Sequence, residues 1–133
     1  MKYARHALFI VVLAIIGGTV AASAADDLGT RVSLQATMRA FIDRQSIDGA
    51  FLTFDVEHGR VRSLYPKSAH PVLYETSDFY ILCYDFAESG GDIVNVDFYV
   101  PRSQGPFIVV HTEVGNHELI DRMAATWNVA KAK

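Results

Sequence analysis

Four polar side chains near the C-terminus have the types and spacing that acid–base chemistry requires. Asn95 and Asp97 alternate with valines in "VNVDFYV". His111 and Glu113 alternate in the same way with apolar residues in "IVVHTEV". Alternate residues of a β-strand point to the same face, so each segment is predicted to present its polar pair on one side. A carboxylate beside an imidazole raises the pKa of the imidazole and fixes its tautomer.

The two segments are predicted to form an antiparallel hairpin around a turn at residues 102–106. A register that matches the apolar face of one strand to that of the other places Asp97 opposite His111, and Asn95 opposite Glu113. Directly opposite residues have Cβ atoms about 4.5–5.5 Å apart. We therefore expect a hydrogen bond between Asp97 and His111.

The favoured interpretation of this face is a non-catalytic site for a small ligand or a protein partner. Polar groups beside apolar and aromatic side chains are typical of ligand pockets, although polar residues on one sheet face often only contact water. The predicted binding residues are Asn95, Asp97, Tyr99, Val109, His111 and Glu113.

Two other functions fit the same residues. In a small acid–base enzyme, His111 would be the base and Asp97 would orient it. In a metal-binding protein, His111, Glu113 and Asp97 are the candidate ligands, an acceptable set for zinc but without a compact ligand motif. The sequence contains no HExxH motif, nucleophile motif or glycine-rich phosphate loop. No cofactor is therefore expected, and catalysis is the less favoured interpretation.

The N-terminus has the layout of a secretory signal peptide. A basic start, "MKYARH", precedes the apolar run "ALFIVVLAIIGGTVAA", and "ASA" ends at residue 24. The alternative is a membrane anchor, but the apolar run is short for a membrane span. We expect a signal peptide at residues 1–24 and a single domain at 25–133. The mature protein would then be periplasmic or secreted and free of the membrane.

Composition argues against nucleic acid as a partner. The first 24 residues hold two of the 12 basic residues and none of the 15 acidic ones, so the remainder is more acidic than the whole chain, whose formal charge is −3. Nucleic-acid binding requires clustered Lys and Arg, and the sequence contains no such cluster.

A single cysteine, Cys83, lies within the apolar run "FYILCYDF". We expect it to be a buried small hydrophobe. The alternatives are a reactive thiol or a link to a second chain in a homodimer.

The spacing of apolar residues predicts an α+β fold. A helix is expected from about Val32, with Thr30 as its cap and Gly49 as its end. A hairpin over residues 50–65 follows, and two prolines are predicted to interrupt the chain after it. "VLYE", "DFYILCYDF" and the C-terminal hairpin complete an antiparallel sheet. Asn116 is predicted to cap a short last helix and "AKAK" to be loose; the apolar face of that helix comprises Leu119, Ile120, Met123, Ala124 and Trp127.

An N-terminal amphipathic helix followed by an antiparallel sheet, over residues 31–114, resembles the cystatin-like and nuclear-transport-factor-2-like superfold. The resemblance implies a helix packed on a curved sheet. In enzymes of that superfold, a His and an Asp often act as acid and base between helix and sheet, and the matching positions are His111 and Asp97. Other members are binding or assembly modules. This chain is shorter and lacks the usual extra helices. Residues 49–64 also resemble exported PepSY-type hairpins, which are linked to protease inhibition.

Overall fold

A computed structural model describes residues 20–102, 105–127 and 130–132, with side chains described from residue 27 onward except at 124, 125, 127 and 132. The elements are α1 (Val20–Arg44), β1 (Ser46–Ile47), β2 (Ala50–Asp55), β3 (Arg60–Glu75), β4 (Phe79–Ala87), β5 (Ile93–Pro101), β6 (His111–Val114), α2 (Glu118–Trp127) and β7 (Ala130–Ala132). Within these residues, β1 to β6 form an open antiparallel sheet in chain order, and β7 pairs with β3. The α+β prediction is confirmed.

Helix α1 is longer than predicted, because it begins at Val20 and Thr30 lies inside it. The alanine-rich stretch before Thr30 has high helix propensity, which explains the extension. The helix ends at Arg44, and the chain turns into β2 through Asp48 and Gly49, both at positive φ. The predicted stop at Gly49 is therefore close to the observed end.

The main hydrophobic core lies between α1 and one face of the sheet. Leu34, Met38 and Ile42 are buried at helical spacing. They pack on aromatic rings of the sheet, among which Phe51 and Phe98 have ring centroids 6.0 Å apart. The remaining buried members of this cluster, here called the α1-face cluster, are Leu64, Leu73, Tyr80, Leu82, Phe86, Val96 and Val100.

Strand β3 continues through the two prolines that were predicted to interrupt it. Its pairing with β4 shifts between Pro66 and Ser68 and again between Ala69 and Leu73. Proline is tolerated in a strand at such irregularities, since its missing N–H costs no ladder bond there. "VLYE" is therefore the end of β3 and not a separate strand.

The β5–β6 hairpin differs from its predicted register by two residues. Asp97 lies opposite Glu113, and Tyr99 lies opposite His111. The ladder covers only His111–Val114, because residues 106–110 lie outside the strand and lengthen the connection. A shift by an even number of residues keeps the side chains of the paired residues on their predicted faces, so the apolar pattern alone could not detect it.

The second face of the sheet is covered by α2. Ile120 of α2 is buried in a second cluster with Tyr74, Ile81, Cys83 and Tyr99, here called the α2-face cluster. Among the predicted apolar residues of this helix, the side chains of Ala124 and Trp127 lie outside the described residues. Helix α2 therefore removes this cluster from water.

The predicted loose tail is in part a strand. Strand β7 pairs with Leu73, Tyr74 and Glu75 at the end of β3. Strand β2 pairs only with the first residues of β3, which leaves this edge of β3 open to another strand.

No helix among the described residues is long and apolar enough to cross a membrane. Residues 1–19 lie outside the described residues, so the signal peptide stays a prediction.

Candidate metal centre

Three side chains with metal-binding atoms meet beneath α2. Cys83 of β4 and Asp97 of β5 are direct partners in the antiparallel ladder. His117 lies in the turn between β6 and α2. Donor atoms of these three residues all lie within 4.8 Å of one another.

Local backbone geometry brings the three residues together. The turn at residues 88–92, with Gly91 at positive φ, sets the pairing of β4 with β5. Gly115, also at positive φ, donates its N–H to the carbonyl of Asn95 at 2.7 Å. This bond attaches the turn that carries His117 to β5, two residues from Asp97.

Asp97 and His117 form the closest pair of the site. Nδ1 of His117 lies 3.2 Å from Oδ1 and 3.3 Å from Oδ2 of Asp97. The same nitrogen lies 3.9 Å from Sγ of Cys83. Asp97 and Cys83 are each only 1% exposed, whereas the side chain of His117 is 35% exposed. The imidazole therefore lies between a buried carboxylate and solvent.

Burial governs the electrostatics of this region. Removal from water raises the pKa of the Cys83 thiol far above its ordinary value, and the negative charge of Asp97 raises it further. Burial also raises the pKa of Tyr99 to about 12, with Asp97 again the next contributor. Without a cation at the site, Cys83 is therefore a neutral thiol at physiological pH.

The arrangement differs from a nucleophilic triad. In a Cys–His–Asp triad, the thiol and the carboxylate use different imidazole nitrogens, so that the histidine can move a proton between them. Here both groups face Nδ1. Thiolate, imidazole and carboxylate converging on one point are instead the ligand types that zinc and similar ions take.

The structure separates the residues that were predicted to form one site. Asp97 pairs with His117, whereas His111 is exposed and lies 3.0 Å from Glu113. The His111 ring contacts Tyr99 in a tilted arrangement, with ring centroids 5.4 Å apart. The predicted Asp97–His111 hydrogen bond is therefore wrong.

The other predicted binding residues are also dispersed. Asn95 donates to Asp85 at 3.2 Å. Val109 packs against the α1-face cluster, on the other side of the sheet from Asp97. Tyr99 is buried beneath α2. Of the three predicted metal-ligand candidates, only Asp97 belongs to the observed cluster.

Sequence reasoning missed the convergence of Cys83 and His117 on Asp97. The pairing of Cys83 with Asp97 could have been predicted from the sequence. A tight turn centred on "SGGD" places residues at equal distances before and after it opposite each other, and Cys83 and Asp97 are such a pair. The expectation that Cys83 is buried is confirmed. His117 directly follows Asn116, the predicted cap of the last helix, and no local pattern shows that this helix folds over the sheet.

Comparison with protein families, curated proteins and solved structures finds no match for this chain. The geometry of the Cys83–Asp97–His117 cluster therefore carries the functional interpretation.

Proposed function

We propose that the protein is a small exported binding domain whose ligand is a divalent metal ion of the zinc class. The observation that carries this proposal is the convergence of Cys83 Sγ, the Asp97 carboxylate and His117 Nδ1 within 4.8 Å. Export rests on the signal peptide predicted at residues 1–24.

The separations between the donor atoms support this ligand. A tetrahedral zinc ion with bonds of about 2.0–2.1 Å to nitrogen and oxygen and about 2.3 Å to sulfur places nitrogen and oxygen ligands about 3.3 Å apart, and sulfur and nitrogen ligands about 3.6 Å apart. The His117–Asp97 separations are 3.2 and 3.3 Å, and the His117–Cys83 separation is 3.9 Å. Small side-chain adjustments would bring all three to bonding distance.

Charge balance supports a dication. A thiolate and a carboxylate in a buried site carry two negative charges, which are costly unless a cation compensates them. A divalent ion neutralises both, whereas a protonated His117 neutralises only one. Metal binding would therefore replace the thiol proton and stabilise the buried cluster.

Three protein ligands leave one tetrahedral position for water or another small molecule. Zinc sites with an open position are those that exchange or activate a ligand, whereas structural sites are closed by four protein ligands. The proposed function is thus metal binding with one coordination position open to water or a small molecule.

An acid–base enzyme is the second candidate, and the Asp97–His117 contact favours it. This version assigns the base to His117 in place of His111. The buried carboxylate would hold the ring orientation, and the partly exposed imidazole would meet the substrate.

At the level of fold, we propose a distant relation to the cystatin-like and nuclear-transport-factor-2-like superfold. The support is the order of one long helix followed by an antiparallel sheet packed on it. A helix over the opposite face of the sheet, with the metal ligands beneath it, would be this chain's own addition.

The test is zinc affinity, measured by competition with a chromophoric chelator at pH 7.5. We expect one ion per chain, and a loss of affinity of at least about 100-fold in each of Cys83→Ala, Asp97→Asn and His117→Gln, since even second-shell changes cost 10–100-fold. The matched controls are His111→Gln and Glu113→Gln, an exposed His–carboxylate pair on β6. Circular dichroism verifies that every variant is folded.

Binding with unchanged affinity in the three ligand variants, or binding lost through His111→Gln, would overturn the proposed ligand set. The absence of stoichiometric zinc binding, together with a His117-dependent activity, would favour the acid–base candidate.

A further inference from the structure

A second cavity lies on the opposite side of the sheet from the metal centre, between the first half of α1 and the irregular part of β3. Its volume is about 580 Å³, within the range of small-molecule sites. Most of its wall is apolar, formed by Leu28, Val32, Ala36, Ala69, Pro71, Leu73 and Leu82. We call this cavity the α1 groove.

Two guanidinium groups interrupt the apolar wall. Arg31 and Arg39, about two helical turns apart on α1, both line the groove. Within the described part of the chain, Nε and Nη2 of Arg31 are buried and have no hydrogen-bond partner. Asp27 lies 3.5 Å from Nε, but its side chain is 58% exposed, so water screens the pair. Buried donors without acceptors are rare, since each carries a desolvation cost.

The third basic group of the groove already has a partner. Nε2 of His70 lies 2.9 Å from Oδ2 of Asp85. The positive charge available to a ligand therefore comes from the two arginines of α1, in a chain whose formal charge is −3.

Exposed apolar residues at the mouth extend the groove. Leu28 and Val32 are 64% and 61% exposed. An apolar ligand would cover both residues, and the removal of their apolar surface from water would favour binding. A ligand that complements this groove has an apolar body to contact the apolar lining residues and a single anionic head group to pair with arginine.

We infer that the α1 groove binds a monomeric long-chain carboxylate, with its head group on the unpartnered donors of Arg31. The planar guanidinium of arginine matches a carboxylate through two parallel hydrogen bonds. A free molecule fits better than a bilayer surface, because the groove has small-molecule volume and the acidic chain lacks the polybasic patch that anionic membranes attract. This inference is independent of the proposed metal function.

The probe is dodecanoate, added to the purified protein below its micelle concentration and followed by calorimetry. A metal chelator is present throughout, so that zinc plays no part. We expect saturable binding of one molecule per chain, and at least about tenfold weaker binding in Arg31→Gln, because a charge-assisted pair is lost. Dodecanol, which lacks the charge, should bind at least tenfold more weakly than dodecanoate.

Three further variants distinguish binding in the groove from nonspecific hydrophobic binding. Ala36→Phe fills the groove from an exposed helix position, so it should abolish binding without unfolding the protein. Arg122→Gln removes an exposed arginine of α2 and should leave binding unchanged. Asp97→Asn, which disables the metal centre, should also bind dodecanoate normally.

Equal affinity for dodecanoate and dodecanol, or unchanged affinity in both Arg31→Gln and Ala36→Phe, would overturn the inference. Arg31-dependent sedimentation with phosphatidylglycerol vesicles, without binding of free dodecanoate, would overturn it in favour of a membrane surface.

Discussion

The two covered faces of the sheet are built from the same strands but bury different chemistry. Under α1, the side chains of β5 that point inward are Val96, Phe98 and Val100, all fully buried among apolar neighbours. Under α2, the intervening residues of the same strand include Asp97, whose carboxylate is as inaccessible to solvent as those neighbours.

The apolar residues under α1 and the polar residues under α2 therefore contribute differently to stability. A buried apolar residue stabilises the fold by leaving water, whereas a buried carboxylate does so only through its partners. The α1-face cluster could hold the sheet and helix together by itself. Cys83, Asp97 and His117 add a desolvation cost, which the divalent ion proposed above would offset.

The largest expected effect is on the α1 face. Phe98→Ala removes a ring that packs against Phe41 and Phe51. We expect a loss of about 3–5 kcal/mol in the free energy of unfolding, measured by urea denaturation. The loss should be the same with and without zinc. A loss that zinc reverses would mean that the two faces are not independent.

A smaller loss is expected on the α2 face. His117→Ala leaves the buried Asp97 carboxylate without its imidazole, and should cost about 2–3 kcal/mol in the metal-free protein. Urea denaturation in the presence of a chelator measures it. Asp97→Asn combined with His117→Ala should cost less than His117→Ala alone, because no uncompensated charge remains. A double variant less stable than the single one would contradict this account.

The next effect is a pH dependence confined to the α2 face. The folded-state pKa of Cys83 is raised above its ordinary value of 9.0, so the folded protein keeps a proton that the unfolded chain loses. Stability is therefore complete below about pH 9 and falls as pH rises, by about 1.4 kcal/mol per pH unit for this one group. Urea denaturation of the metal-free protein at several alkaline pH values measures the slope.

Cys83→Ala is the control for this slope and should flatten it between pH 9 and 10. Above about pH 10, the raised pKa of Tyr99 adds a second loss that Cys83→Ala leaves in place. Zinc should also flatten the slope between pH 9 and 10, because a zinc-bound thiolate has no proton to lose. A slope that is equal in wild type and Cys83→Ala would exclude Cys83 as its source.

The smallest effect is expected on β6. His111 is exposed and contacts Glu113, so His111→Ala should change the free energy of unfolding by less than about 0.5 kcal/mol. Thermal unfolding with and without zinc measures it, and the zinc-dependent increase in Tm should equal that of wild type. A zinc-dependent increase in Tm that is smaller in His111→Ala than in wild type would indicate that His111 takes part in zinc binding.

Much of the α1 face could be predicted from the sequence. The helical spacing of Leu34, Met38 and Ile42 and the alternation in β5 are local patterns, and local patterns set which residues face a core. Helix α1 was predicted too short because residues 20–24 were assigned to the signal peptide and Thr30 was taken as the cap, although the alanine-rich residues before Thr30 favour a helix.

The α2 face could be predicted only in part. The Cys83–Asp97 pairing follows from turn length, but the β5–β6 register depends on a connection whose geometry the apolar pattern does not encode. His117 reaches Asp97 because α2 folds back across the sheet. That contact joins residues 20 positions apart through tertiary packing, and no periodicity within either segment contains it.

The most direct test of the central claim is the absorption spectrum of the protein after addition of one equivalent of Co²⁺, which takes the place of zinc. We predict an intense near-ultraviolet thiolate-to-metal band and visible bands typical of four-coordinate Co²⁺. The thiolate band should be absent from Cys83→Ala, and the thiolate and visible bands should both be weakened in His117→Gln. A spectrum equal to that of hydrated Co²⁺, or a thiolate band that survives in Cys83→Ala, would contradict metal binding by Cys83, Asp97 and His117.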